Sequence, residues 1–111
     1  MDKLSALETL NALAHETRLD VFRLLVQAGP TGLPAGEVAT RLEVRQNTMS
    51  THLAILTRAG MTTKLRDGRV IYYRANYQHM QELLLYLMQD CCGGKAEICT
   101  PMAAALAKAS C

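Results

Sequence analysis

Apolar residues recur every third or fourth position through most of the chain, and that spacing predicts helices. Leu4, Leu7, Leu10 and Leu13, with Ala6 and Ala14 beside them, draw a narrow leucine stripe over residues 4–14. The polar run His15-Glu16-Thr17-Arg18 interrupts it. A second helix follows, with Leu19, Phe22, Leu25 and Val26 on one face, and Gly29-Pro30-Thr31-Gly32 stops it. A short third helix over about residues 35–42 turns Val38 and Leu42 inward. After the brief turn Glu43-Val44-Arg45, a fourth helix over about 46–58 faces Met49, Leu53 and Leu56 to the core. Gln46, Asn47, Thr48, Ser50 and Thr51 gather at its N-terminal end, and Gly60 is its natural left-handed cap.

The period changes after Met61. Asp67-Gly68 is a strong hairpin-turn signal, and Val70, Ile71, Tyr72 and Tyr73 are strand formers. One two-stranded hairpin is expected over 61–74, with Arg66 and Arg69 flanking its tip. Asn76 can cap a fifth helix that runs to about residue 90. Its apolar set Met80, Leu83, Leu84, Leu87 and Met88, widened by Leu85 and Tyr86, is too broad for a helix buried on one side. Cys91-Cys92-Gly93-Gly94 breaks it, and the Ala-rich tail favours a short, weak sixth helix. The fold class is mainly α, with five to six helices and one β-hairpin. Helices three and four make a helix-turn-helix, and the hairpin behind them is a wing.

A chain of 111 residues fits one domain and excludes a multidomain enzyme. No apolar run approaches the roughly 20 residues of a bilayer-crossing helix, and the start MDKLSALETL has no signal-peptide pattern. A cytoplasmic location without membrane attachment is expected, and the four Cys are then thiols. Helices one and five carry more apolar surface than so small a domain can hide, so they are expected to join two copies in a homodimer.

The net charge is only +2, but it is unevenly spread. Residues 41–74 hold Arg41, Arg45, Arg58, Lys64, Arg66, Arg69 and Arg74 against Glu43 and Asp67, a local excess of +5. Phosphate attraction needs such a basic middle. A helix fits the major groove of DNA, and short polar side chains at its N-terminal end reach base edges. The expected DNA-binding residues are Arg45, Gln46, Asn47, Thr48, Ser50, Thr51 and His52 on the fourth helix, with Arg66 and Arg69 on the wing. For His52, a helix-packing or phosphate-contacting role is the better reading.

The segments NALAHETRLDVFRLL, QNTMSTHLAILTRAGM and RDGRVIYYRA resemble the ArsR/SmtB metalloregulatory repressors over roughly residues 4–90. The resemblance implies a winged helix-turn-helix dimer that leaves a palindromic operator when it binds a metal ion or metalloid. Arg45 departs from the family pattern, which often has a helix-capping Ser there.

Cys91 and Cys92 are adjacent, Cys99 follows after six residues, and Cys111 is last. Thiolates select soft ions. Three sulfurs suit pyramidal As(III) or Sb(III), whereas structural zinc wants four ligands. The Gly93-Gly94 hinge lets the chain return toward the pair. The resemblance narrows the choice. The third helix lacks the family's C-x-C arsenic site, and the fifth lacks the zinc-sensor set, leaving the branch with Cys after the last helix. The expected metalloid ligands are Cys91, Cys92 and Cys99, with As(III), Sb(III) or methylarsenite as inducer and no cofactor needed for DNA binding. The winged domain is then 1–92, and 93–111 is a tail completing the site. Inert packing, a thiol redox switch and Zn, Cd or Pb binding remain open. A thiol enzyme would need a phosphate-cradling loop or C-x-x-C, and neither is present. A winged-helix module for protein partners would not need the polar Gln46-Asn47-Thr48 or the wing arginines.

Overall fold

The computed structural model describes residues 1–89 and 96–108. The elements are α1 (Lys3–Leu13), α2 (Glu16–Ala28), β1 (Leu33–Pro34), α3 (Ala35–Leu42), α4 (Gln46–Arg58), β2 (Thr62–Asp67), β3 (Val70–Ala75), α5 (Tyr77–Met88) and α6 (Ala96–Lys108). This is the winged helix-turn-helix order expected from the periodicity. The break between α1 and α2 is tighter than the four-residue polar run suggests. Only Ala14 and His15 leave the helical path, because the His15 ring caps α2 by accepting a hydrogen bond from the Thr17 amide.

The core gathers Val21, Phe22 and Leu25 of α2, Val38 and Ala39 of α3, and Met49, Leu53 and Leu56 of α4 around Leu33, Met61 and Ala75. α1 meets this core through small residues. Ala6, Thr9 and Ala12 are buried, while Leu4, Leu7 and Leu10 face outward. Leu19, expected on the inner face of α2, is also exposed. On α5 only Leu83 is buried, and Leu84, Leu85 and Leu87 stand in the open.

The sheet has three strands in the order β1-β3-β2, all antiparallel, one more than the expected hairpin. β1 is two residues long, too short to show an alternation, and its partners Tyr73 and Tyr72 lie far along the chain. The wing turn also differs in detail. Asp67 pairs with Val70, so the two loop residues are Gly68 and Arg69. Gly68 takes a φ of 64°, which places glycine at the first loop position, as in a type II′ turn.

Gly32 sits where β1 runs under β3. Its φ is +70°, and a Cβ there would lie 2.2 Å from the Tyr73 carbonyl oxygen. Gly68 has a similar φ with open space around it. Both positions carry a left-handed backbone cost of about 1–3 kcal/mol for any other residue, and only Gly32 adds a collision with backbone. Gly32→Ala is expected to destabilise the fold clearly more than Gly68→Ala in chemical denaturation. Equal losses would show that the β1–β3 contact yields freely.

Candidate nucleic-acid interface

The helix-turn-helix is made by a sharp reversal at Glu43. This residue adopts a left-handed φ of 55°, and its amide donates to the carbonyls of Ala39 and Thr40. Val44 N then donates to Ala39 O, closing the end of α3. The chain leaves through Arg45 in extended geometry and enters α4 at once. Arg45 makes no side-chain cap, as expected, and its side chain is exposed.

Met49, Leu53 and Leu56 have no exposed surface, so the opposite side of α4 is turned out. Gln46, Asn47, Thr48, Ser50 and Thr51 are all exposed there, as one polar surface. Their hydrogen bonds are partly internal. Asn47 Oδ1 accepts from the Thr48 amide at 2.9 Å, which substitutes for the missing Arg45 cap. Ser50 Oγ donates to Gln46 O, and Thr51 Oγ1 donates weakly to Asn47 O. Each of these two hydroxyls therefore offers lone pairs outward while its proton is engaged with its own helix.

On the wing, Arg66 Nε donates to the Gly68 carbonyl, which folds the guanidinium over the turn. Arg69 is exposed at the tip. Arg41 counted toward the basic middle, but it is paired at 2.6 Å with Glu37, one turn earlier on α3.

His52 is placed apart from the polar set. It is half-buried, and its ring stacks on His15 with centroids 4.7 Å apart and a tilt of 48°. Its Nδ1 is buried without a hydrogen-bond partner. Burial, then the nearby His15 and Arg18, hold its pKa below the ordinary 6.5. The role of His15 in capping α2 and carrying this stack was invisible in the sequence, where it is a lone histidine.

Cys91, Cys92 and Cys111 lie outside the described residues, as does the side chain of Cys99, which falls in the first turn of α6. Among the described residues, no three His, Cys, Asp or Glu side chains gather as a metal site, and no helix is long and apolar enough to cross a membrane.

An exposed polar helix set on a helix-turn-helix, with a basic hairpin beside it, defines a winged helix-turn-helix DNA-binding protein. A helix-turn-helix domain family matches residues 13–64. The transcriptional activator HlyU of Vibrio cholerae is 30% identical over 87 residues, spanning 78% of each chain. Its solved structure superposes with a TM-score of 0.62 at 33% identity, covering 78% of this chain and 97% of that one. An ArsR-like regulator from Rhodococcus superposes with a TM-score of 0.71 at 28% identity, covering 91% and 89%. The arsenical resistance operon repressor of Escherichia coli is 32% identical over 74 residues, 67% of this chain and 62% of that one. The chain belongs to the ArsR family of transcription regulators; it is a DNA-binding regulator and not an enzyme.

The His52 environment sets a pH dependence. The folded chain binds this proton more weakly than the unfolded chain, so folding is favoured above about pH 6.5 and loses stability below it. The ring is only half-buried, so the effect is modest. Lowering the pH from about 7 to about 5 is expected to reduce the unfolding temperature, and His52→Gln is expected to shrink that reduction. An unchanged pH profile in the variant would acquit His52.

Proposed function

We propose that the protein is an arsenic-responsive repressor that holds a palindromic operator as a homodimer and releases it when trivalent arsenic or antimony binds its C-terminal thiols. It works in the cytoplasm. The observation that carries this reading is the Cys91-Cys92 pair, which two residues separate from the end of α5, the helix whose Leu84, Leu85 and Leu87 are exposed. The exposed leucines of α1 and α5 supply the dimer seam. A neighbour from Mycobacterium bovis, 25% identical with a TM-score of 0.64, is described as a homodimeric winged helix-turn-helix domain. The Escherichia coli relative is named for arsenical resistance.

In this reading residues 1–92 bind DNA and dimerise, and 93–111 complete the metalloid site. Cys91 and Cys92 give a shared bite, and Cys99 adds the third sulfur for the inorganic ion. Arg45, Gln46, Asn47, Thr48, Ser50 and Thr51 face the major groove, with His52 behind them. Arg66 and Arg69 hold the neighbouring backbone or minor groove. Ion binding favours a dimer geometry that no longer fits the operator, so ion and DNA oppose each other reciprocally.

A thiol redox switch is the second reading, favoured by the adjacent thiols and by a HlyU neighbour, 28% identical, that was solved in a reduced form. Operator release under reducing conditions separates the two. Arsenite is expected to release wild type, and Cys91→Ser/Cys92→Ser is expected to keep DNA affinity and ignore arsenite. Cys99→Ser is expected to lose more response to inorganic As(III) than to methylarsenite, and Cys111→Ser to match wild type. Full release of the double variant by arsenite would remove the metalloid site from this position. Release of wild type by peroxide alone would select the redox reading.

The DNA face has its own test. Asn47→Ala is expected to cost roughly 1–3 kcal/mol on the operator and to relax base preference, whereas Arg69→Ala weakens all sequences alike and flattens the salt slope. Equal loss of specific and non-specific affinity in Asn47→Ala would refute base reading.

A further inference from the structure

Three elements meet at the C-terminal end of the recognition helix in one small junction. Asn76 Nδ2 donates to the Gly60 carbonyl at 2.9 Å, and the Asn76 amide donates to Met61 O at 2.9 Å. The other end of the same side chain, Oδ1, accepts from the His79 amide and caps α5. One carboxamide thus holds the exit of α4 and the entry of α5 together.

His79 extends the junction to α1. Its Nε2 lies 2.9 Å from Thr9 Oγ1. Thr9 is buried, and its hydroxyl donates to Ser5 O at 2.8 Å. That uses the only proton of the hydroxyl, so His79 Nε2 carries a proton and is the donor. The ring also lies over Gly60, where a Cβ would come within 3.0–3.2 Å of three ring atoms. Gly60 has a φ of +84°, a backbone that favours glycine, and a Cβ there would need the His79 ring to give by a few tenths of an ångström.

Helix capping alone does not require this arrangement. Serine caps as well as asparagine but cannot span to Gly60. α1 and α5 each carry three exposed leucines, more than any other described helix, and neither contributes to the polar face of α4. The geometry points to Asn76 and His79 as positioning residues that fasten the α1/α5 pair to the end of the recognition helix, so that DNA held by α4 and any event on α5 are felt through this junction. The inference rests on the preceding reading only for what moves α5.

The test uses the full-length protein and a duplex carrying its operator, with amide hydrogen exchange at His79, Met80 and Leu83 as the inducer-free readout. In wild type, DNA is expected to slow exchange at the start of α5. In Asn76→Ser and in His79→Ala that slowing is expected to vanish while DNA affinity stays within about threefold. His79→Gln keeps a donor at the same reach and is expected to restore it. Arsenite-driven release is expected to fall at least about fivefold in the two uncoupled variants. DNA-induced protection that persists in both, or that is missing from wild type, overturns the junction as the link. So does His79→Gln behaving like His79→Ala. If Asn76→Ser fails to fold, the His79 pair decides by the same readout. If arsenite fails to release wild type, the arsenic reading falls while the exchange result still judges the junction.

Discussion

Everything on the DNA side depends on burying one edge of α4. Met49, Leu53 and Leu56 are spaced to fall on one side of a helix and lose all their exposed surface. Each such burial is worth about 1.5–3 kcal/mol, more than any single polar contact on the opposite side. That fixes the rotation of the helix about its own axis, so Gln46, Asn47, Thr48 and Ser50 are presented outward, and the hydrogen bonds among them stay within the helix's own first turns. The left-handed Glu43 sets α3 against the same helix, Gly32 lets β1 lie close under β3, and Gly60 receives the His79 ring at the exit of α4.

Much of this was legible along the chain, and the reason is physical. A helix with unbroken apolar spacing and a terminal glycine announces its ends, and the sequence placed α3 and α4 where the structure has them. The strand β1 was not legible, because two residues have no period and their partner is almost forty positions away. The leucine stripe of α1 was visible, but its direction was not. Periodicity reports that a helix has an apolar side. It does not say whether the core takes the large residues or, as here, the small ones.

Among the site residues, the exposed polar set on α4 was legible because its side chains need no partner to be placed. The partners of His52 and Arg41 were not legible, because His15 is distant along the chain and Glu37 lies on the preceding turn of α3, outside the basic segment. His15 and Ala14 make the turn between α1 and α2, and the ring that caps α2 also supports His52. No spacing rule connects positions 15 and 52. The thiols are the reverse case: the chemistry of adjacent cysteines can be reasoned from sequence, while their geometry lies beyond the described residues.

The two sides of α1 have a consequence for the order of unfolding. Toward its own protomer the helix offers Ala6, Thr9 and Ala12, which allow close approach but bury little apolar area. Its large side chains Leu4, Leu7 and Leu10 stay exposed and gain much less from that packing. Most of the apolar area that α1 has to offer is therefore spent on whatever covers its leucines. In an uncovered chain it is held by small side chains, its caps and the Thr9–His79 bond, and it is the helix with least to lose by opening. In the proposed homodimer, completion of the N-terminal helix and coverage of that stripe would be one thermodynamic event, and the local stability of the first thirteen residues would become a function of protein concentration.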